Sequence, residues 1–131
     1  MRVLKTRGFE RFAKSEGITD AQLVAAIKAA ERGLIDADLG GGIIKLRIAR
    51  PGKGKSGGFR TLVATNKGGK WFFVFGFPKN VRSNIDKDEE EGLKKLASHL
   101  LSLSPPELVT AQRAGELMEV NCDAQDQIGN S

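Results

Sequence analysis

The spacing of apolar residues along the chain changes at three consecutive glycines, Gly40-Gly41-Gly42. Before them, apolar residues recur every three or four positions, as on one face of a helix: Leu23, Ile27, Ala30 and Leu34. After them, apolar residues alternate with basic ones, as in a half-buried strand: Ile44, Leu46 and Ile48 against Lys45 and Arg47. The pattern predicts helices followed by a sheet with a cationic outer face.

The N-terminal part is predicted to form a short strand and two helices. Residues 2–6 fit a strand, and residues 8–16 fit a short helix. The second helix has a start and a stop signal, because Thr19 and Gln22 have the spacing of a capping box and Gly33 is a natural end. We expect the two helices to form a hairpin that lies on a sheet.

Two further strands are predicted after the first cationic one. Residues 59–65 and 71–77 are rich in β-branched and aromatic residues, and residues 66–69 form a turn between them. Four aromatic residues alternate along the second of these strands and should share one face of the sheet: Trp71, Phe73, Phe75 and Phe77. Together with residues 44–48, these segments predict a small antiparallel meander sheet.

The C-terminal part predicts two helices and a short strand. Asp86 begins a helix whose first turn is acidic and whose leucines recur along one face. Ser104-Pro105-Pro106-Glu107 has the cap, proline and glutamate positions of a second helix start. Residues 116–120 complete the order β-α-α-β-β-β-α-α-β. This order indicates a single α+β domain over residues 1–120, followed by a polar tail over residues 121–131.

Size and composition fit one globular domain. The chain has 131 residues and 40% hydrophobic content, enough to bury a sizeable core. A single cysteine, Cys122, excludes an internal disulfide and suits a reducing compartment. No apolar run approaches the ~20 residues that span a bilayer, and no signal segment follows the N-terminal charges. We therefore expect a cytoplasmic protein without membrane contact.

Positive charge is concentrated in the centre of the sequence. Residues 39–82 contain ten basic residues and no acidic one: Lys45, Arg47, Arg50, Lys53, Lys55, Arg60, Lys67, Lys70, Lys79 and Arg82. The whole chain has 21 basic and 16 acidic residues, so the remainder has a net charge of −5. A concentrated cationic surface attracts polyanions, and nucleic acid is the leading example.

Residue content argues against several enzyme classes. The single histidine, His99, falls near the C-terminal end of a leucine-rich helix, where we expect contact with solvent or the helix dipole rather than catalysis. One histidine and one cysteine provide no zinc site, and we expect no metal and no cofactor. Gly54-Lys55-Ser56 resembles a nucleotide phosphate loop, but Ala49 stands where the motif requires glycine, and a strand follows instead of a helix. The loop's glycines and lysines still suit phosphate binding.

Three segments together resemble the RelE/HigB family of bacterial toxins. They are residues 45–49, the glycine–lysine loop that runs into Gly58-Phe59-Arg60, and Phe77-Pro78-Lys79-Asn80 before a leucine-rich helix. The similarity covers residues 1–103, and residues 104–120 resemble an extension found in one branch of the family. The resemblance implies a RelE/ParE-like fold, in which helices flank a small sheet, with a C-terminal helical extension. It also implies a metal-independent endoribonuclease that cuts messenger RNA in the ribosomal A site and that a cognate antitoxin silences.

The resemblance also assigns roles to individual residues. Lys53, Lys55 and Arg60 match active-site positions: Arg60 is expected to hold the scissile phosphate, and one of the lysines to act as base on the ribose 2′-hydroxyl. Neighbouring positive charges lower the pKa of a lysine and make it a better base near neutrality. Six further residues are expected to bind RNA or the ribosome: Lys45, Arg47, Arg50, Phe77, Lys79 and Arg82. The chain has no tyrosine, which relatives often use as an acid or base.

Two other functions are compatible with the same basic surface. A non-catalytic binder of RNA, DNA or an acidic protein needs only the cations, and ParE-like members of the fold poison DNA gyrase. The combination of Lys53, Lys55 and Arg60 favours the nuclease, because a gyrase poison needs no group that holds a phosphate. We expect an acidic or amphipathic antitoxin segment over the basic face or beside the helix of residues 86–103.

Overall fold

The computed structural model describes residues 1–49 and 58–122, which form a sheet with helices on both faces. The strands are β1 (Arg2–Thr6), β2 (Ala37–Gly40), β3 (Ile43–Ile48), β4 (Phe59–Thr65), β5 (Lys70–Pro78) and β6 (Leu117–Glu119). The helices are α1 (Arg7–Glu16), α2 (Asp20–Glu31), α3 (Lys87–Leu101) and α4 (Pro105–Arg113). The α+β class is confirmed. Strand β2 was not predicted, because four residues are too few to establish a period.

The six strands of these ranges form one mixed sheet in the order β2-β3-β4-β5-β1-β6. Strands β3, β4 and β5 are antiparallel neighbours, as their short connections predicted. The prediction of a purely antiparallel meander is wrong, because β1 lies parallel to β5, with Val3 opposite Trp71. Only short hairpin connections reveal pairing from local sequence, whereas β1 and β5 are far apart in the chain.

Each face of the sheet has its own apolar cluster. Helices α1 and α2 cover one face, where Phe9 and Leu23 are at most 1% exposed. Helices α3 and α4 belong to the cluster on the other face, which buries Ala97 and Leu108. The second cluster also includes Leu117 of β6. Helix α4 and strand β6, the last two elements of the chain that the structure describes, therefore both contribute to the core.

A bulge in β5 changes the face on which its aromatic residues lie. Val74 is an extra residue between the partners of two consecutive residues of β4, Leu62 and Val63. The aromatic residues divide accordingly, Trp71 and Phe73 with the α1–α2 cluster, Phe75 and Phe77 with the α3–α4 cluster. The prediction that all four share one face is wrong, because strict alternation does not survive a bulge.

Helix starts follow the predicted caps. Three of the described helices begin with a capping box. Two boxes were predicted in full, Thr19 with Gln22 and Ser104 with Glu107, and the third is Asp86 with Glu89.

None of the described helices is long and apolar enough to cross a membrane.

Leu34 was predicted to continue the apolar face of α2 but lies beyond the end of the helix. The helix ends at Glu31, and Leu34 lies beyond it with 66% of its surface exposed. The N–H of Leu34 donates to the carbonyl of Ala29, and Gly33 between them has a φ of 92°. This left-handed turn reverses the chain. The helical spacing of Leu34 is therefore not part of the helix.

Candidate functional site

Three basic side chains lie together on the face of the sheet opposite α1 and α2. The apolar residues of β3 are buried in the α1–α2 cluster, so the residues between them, Lys45 and Arg47, extend from the opposite face. Arg60 of β4 lies directly opposite Arg47 and therefore shares its face. We call Lys45, Arg47 and Arg60 the cationic cluster. The structure thus brings together three of the predicted site residues.

The carboxylate of Asp36 contacts all three cations of the cluster. Its Oδ2 lies 3.3 Å from Nε of Arg60 and 4.0 Å from Nζ of Lys45. Its Oδ1 lies 4.0 Å from Nε of Arg47. The backbone N–H of Asp36 donates to the carbonyl of Lys45 at 2.9 Å, which holds this residue beside β3. The carboxylate offsets the repulsion between two arginines that face each other across the strands.

The cations of the cluster differ in their access to solvent. The side chain of Arg60 is 12% exposed and that of Arg47 is 60% exposed, with the Asp36 side chain at 26%. An anion that approaches the sheet therefore meets Arg47 first. Arg60 is largely enclosed, and its Nε lies next to the carboxylate of Asp36.

Arg82 is a further basic residue of the candidate site, close to the end of β5 and not part of the cationic cluster. Its guanidinium donates to both carboxylate oxygens of Glu89 in the first turn of α3. The same group lies 5.3 Å from the ring centroid of Phe77 and 5.9 Å from that of Phe75. The hydrogen bonds with Glu89 raise the pKa of Arg82, and those from Arg82 and from the backbone of Asp86 lower the pKa of Glu89.

Phe77 does not present its ring to solvent in this arrangement. It lies opposite Arg60 across β4 and β5 but is only 3% exposed. Arg82 has to move before a nucleic-acid base can stack on this ring. The predicted stacking role of Phe77 is therefore conditional on that movement.

The predicted active-site loop is the segment between β3 and β4 in the sequence. Arg50, Lys53 and Lys55 lie outside the described residues. The carbonyl of Gly58, at the start of β4, accepts a hydrogen bond of 3.0 Å from the backbone N–H of Lys79, whose side chain is exposed. The loop thus leaves and enters the sheet at the end where Arg47 and Arg60 face each other.

The histidine and the cysteine lie in other parts of the fold. His99 is exposed in the last turn of α3, about 15 Å along the helix axis from Glu89. It lines an apolar groove of about 780 Å³ between α3, α4 and the start of α1. Cys122 lies 4.0 Å from the carbonyl of Met1. In the described ranges no three His, Cys, Asp or Glu residues are arranged to hold a metal ion.

Two residues of this site, Asp36 and Glu89, were not singled out from the sequence. Asp36 precedes the acid-free stretch by three positions, and only the unpredicted strand β2 brings it back beside β3. Glu89 was predicted only as part of the acidic first turn of the helix that Asp86 begins. The pattern Asp86-x-x-Glu89 is a capping box and could have been recognised as one, but its contact with Arg82 could not.

Comparison with known proteins gives one family. The family model described as the RelE toxin of the RelE / RelB toxin-antitoxin system matches residues 1–120. No curated protein matches the chain.

Proposed function

Because the chain belongs to the RelE toxin family, we propose that it is a ribosome-dependent endoribonuclease that cuts messenger RNA and stops translation. As a member of that family it is a toxin of a toxin–antitoxin system. The nuclease activity, its ribosomal setting and its place in the cytoplasm are the proposed parts. The observation that carries the proposal is the cationic cluster, where Arg60 and Arg47 face each other on the two strands that the glycine–lysine segment connects in the sequence.

The proposed reaction is an attack of the ribose 2′-oxygen on the adjacent phosphorus. It forms a 2′,3′-cyclic phosphate, and the 5′-oxygen of the next nucleotide leaves as it takes up a proton. Negative charge increases on the phosphate oxygens during the attack, and we assign its stabilisation to N–H groups of Arg60 and Arg47, which lie opposite each other across β3 and β4. The guanidinium groups supply the positive charge, so the step needs no metal ion.

The proton of the 2′-hydroxyl needs a base near the phosphate. We assign this role to Lys53 or Lys55, which stand in the loop between the strands of Arg47 and Arg60. Arg50, Lys45, Lys79 and Arg82 are assigned to the RNA backbone or the ribosome. Phe77 is assigned to base stacking after movement of Arg82.

The family also implies a RelB-type antitoxin partner. We propose that an acidic or amphipathic segment of it covers the cationic cluster or lies along α3. Charge favours this placement, because the cluster carries three cations against the one carboxylate of Asp36. Hydrogen exchange of the complex tests it.

The test of the nuclease is induction in growing bacteria followed by mapping of new messenger RNA 5′ ends. The wild-type protein is compared with the triple variant Lys53→Ala/Lys55→Ala/Arg60→Ala. We expect growth arrest with cuts inside translated regions from the wild type, and at least a 100-fold loss of cuts from the variant, on the order of the loss of one charge-stabilising group.

A matched control removes three exposed cations from the other side of the sheet. The variant Arg11→Ala/Lys14→Ala/Arg32→Ala has the same change in net charge and alters α1 and the end of α2 only. It should cut like the wild type. Arrest without cuts would support a ParE-like poison of DNA gyrase instead, and a folded protein that neither arrests growth nor cuts would be a binding module.

A further inference from the structure

We propose that Asp36 is a positioning residue whose carboxylate holds Arg60 and exchanges with a phosphate group when RNA binds. The inference rests on the proposed function, because it names the residue that controls access to the same cations. It starts from one observation: both carboxylate oxygens of Asp36 are engaged by cations of β3 and β4.

The geometry places the carboxylate where a phosphate would bind. Guanidinium groups recognise carboxylates and phosphates through the same N–H donors. Asp36 lies 3.3 Å from Nε of Arg60 and within 4.0 Å of the charged groups of Arg47 and Lys45. A phosphate that bridges these cations needs the position that the carboxylate holds.

The ion pairs of Asp36 are weak enough for a phosphate group to replace its carboxylate. Two of the three distances are 4.0 Å, longer than a hydrogen bond, and 26% of the Asp36 side chain is exposed. Partly exposed ion pairs are weak, so a phosphodiester that brings several contacts of its own can replace this one.

The backbone of Asp36 allows the side chain to leave without unfolding the sheet. Its N–H bonds to the carbonyl of Lys45, and the following residue, Ala37, is in register with Lys45 in the β2–β3 ladder. These bonds do not involve the carboxylate. Rotation of the side chain is therefore enough to release Arg60.

The exchange has a consequence that a purely structural ion pair lacks. If Asp36 competes with RNA, its neutralisation must strengthen RNA binding. If it only supports the fold, its neutralisation leaves binding unchanged or weakens it. The direction of the change in affinity therefore separates the two roles.

The experiment measures the affinity of the full chain for a single-stranded RNA with 2′-O-methyl riboses. This RNA lacks the attacking hydroxyl, so binding is measured whether or not the protein is a nuclease. We expect Asp36→Asn to bind about three- to tenfold more tightly than the wild type, the size of one weak ion pair removed from competition. Asp36→Glu, which keeps the charge, should return to the wild-type affinity.

Asp38 provides the matched control, because it is a carboxylate two residues further on that pairs with Lys67 instead. Asp38→Asn has the same change in net charge and retains the oxygen that accepts from the N–H of Gly40. It should leave the affinity unchanged. In an Arg60→Gln background, the gain from Asp36→Asn should be smaller, because only the longer contacts of Asp36 with Arg47 and Lys45 remain to be released. Equal affinities for Asp36→Asn and Asp38→Asn, or a gain that is as large without Arg60 as with it, would overturn the proposal.

A second measurement decides the question even if Asp36→Asn does not fold. Inorganic phosphate is titrated into the wild-type protein, and the NMR signals of the Arg60 Nε–H group and of the Asp36 carboxyl carbon are followed. Exchange predicts that both signals move together with one affinity. A shift of Arg60 with a constant Asp36 signal excludes exchange. Neither measurement depends on cleavage, so failure here and failure of the nuclease proposal are distinguishable.

Discussion

At the scale of single residues, the contact between Arg82 and Glu89 connects the end of β5 to the start of α3. Glu89 also accepts from the backbone N–H of Asp86 at 2.9 Å, so one carboxylate serves a helix cap and an ion pair. Arg82 covers the rings of Phe75 and Phe77 through the same guanidinium. The pair therefore lies next to the aromatic end of β5.

This contact predicts acid sensitivity. The hydrogen bonds from Arg82 and from the backbone of Asp86 hold the pKa of Glu89 below its ordinary value of 4.5. Glu89 therefore has a lower pKa in the folded chain than in the unfolded chain. Its contribution to the free energy of unfolding is complete above pH 4.5 and is lost as the pH falls through the lower pKa of the folded state. Urea unfolding should therefore give a smaller fall in stability from pH 7 to about pH 3 in Glu89→Gln than in the wild type.

Glu91→Gln is the control for that measurement, because Glu91 is an exposed carboxylate on the same helix. It should keep the full wild-type pH dependence. An unchanged pH dependence in Glu89→Gln would mean that the pair with Arg82 does not contribute to stability.

Sequence patterns identified most cations of the site but not the acids that hold them. Lys45 and Arg47 were placed correctly, because strand alternation is a local property. Asp36 and Glu89 acquire their roles through contacts with β3, β4 and Arg82 that no local pattern encodes. Phe77 was assigned to RNA contact, whereas it is 3% exposed within the apolar cluster of α3 and α4.

At the scale of elements, strand β5 and helix α1 meet at a glycine. A Cβ atom on Gly76 would lie 2.8 Å from Cδ2 of Phe12. That ring is held edge-on between Phe9 and Phe59, with centroids 5.7 and 5.9 Å away. The absence of a side chain at this position lets α1 approach the sheet.

Gly76→Ala should therefore destabilise the fold. The added methyl group has to displace Phe12 from its aromatic neighbours, and overpacking of this kind lowers the free energy of unfolding by about 2 kcal/mol. Gly92→Ala is the control: a methyl group on Gly92 in α3 would meet no atom within 4 Å outside its own helix backbone, and alanine there should raise the free energy of unfolding by about 1 kcal/mol. Thermal unfolding of both variants checks the opposite signs. Equal effects would show that Phe12 moves aside without cost.

Element boundaries were the most predictable part of the fold. Caps and glycine stops are local signals, so β1, α1 and the starts of α2, α3 and α4 were predicted close to their observed positions. The parallel pairing of β1 with β5 and the short strand β2 depend on contacts between distant residues. Such contacts have no signature in a local pattern, which is why the topology was predicted only in its meander.

At the scale of the whole molecule, the sheet separates two surfaces of different character. One face is covered by α1 and α2, and the other carries the cationic cluster beside α3. Three residues of the basic central block, Lys45, Arg47 and Arg60, thus lie on one side of the fold. Two acidic and two basic residues balance along α2 and its C-cap, so an acidic partner segment has more reason to bind the cationic cluster than α2.

The antitoxin should therefore protect one side of the toxin only. We expect slower hydrogen exchange in β3, β4 or α3 of the complex, and unchanged exchange in α2. Charge reversal at one residue on each side of the sheet tests this expectation. Arg47→Glu should weaken antitoxin binding, whereas Arg11→Glu, at an exposed position of α1, should not. The expected loss for Arg47→Glu is at least tenfold, since a like charge opposite an acidic segment costs more than a missing contact. Protection confined to α2, or equal losses for both reversals, would mean that the antitoxin does not recognise the cationic cluster.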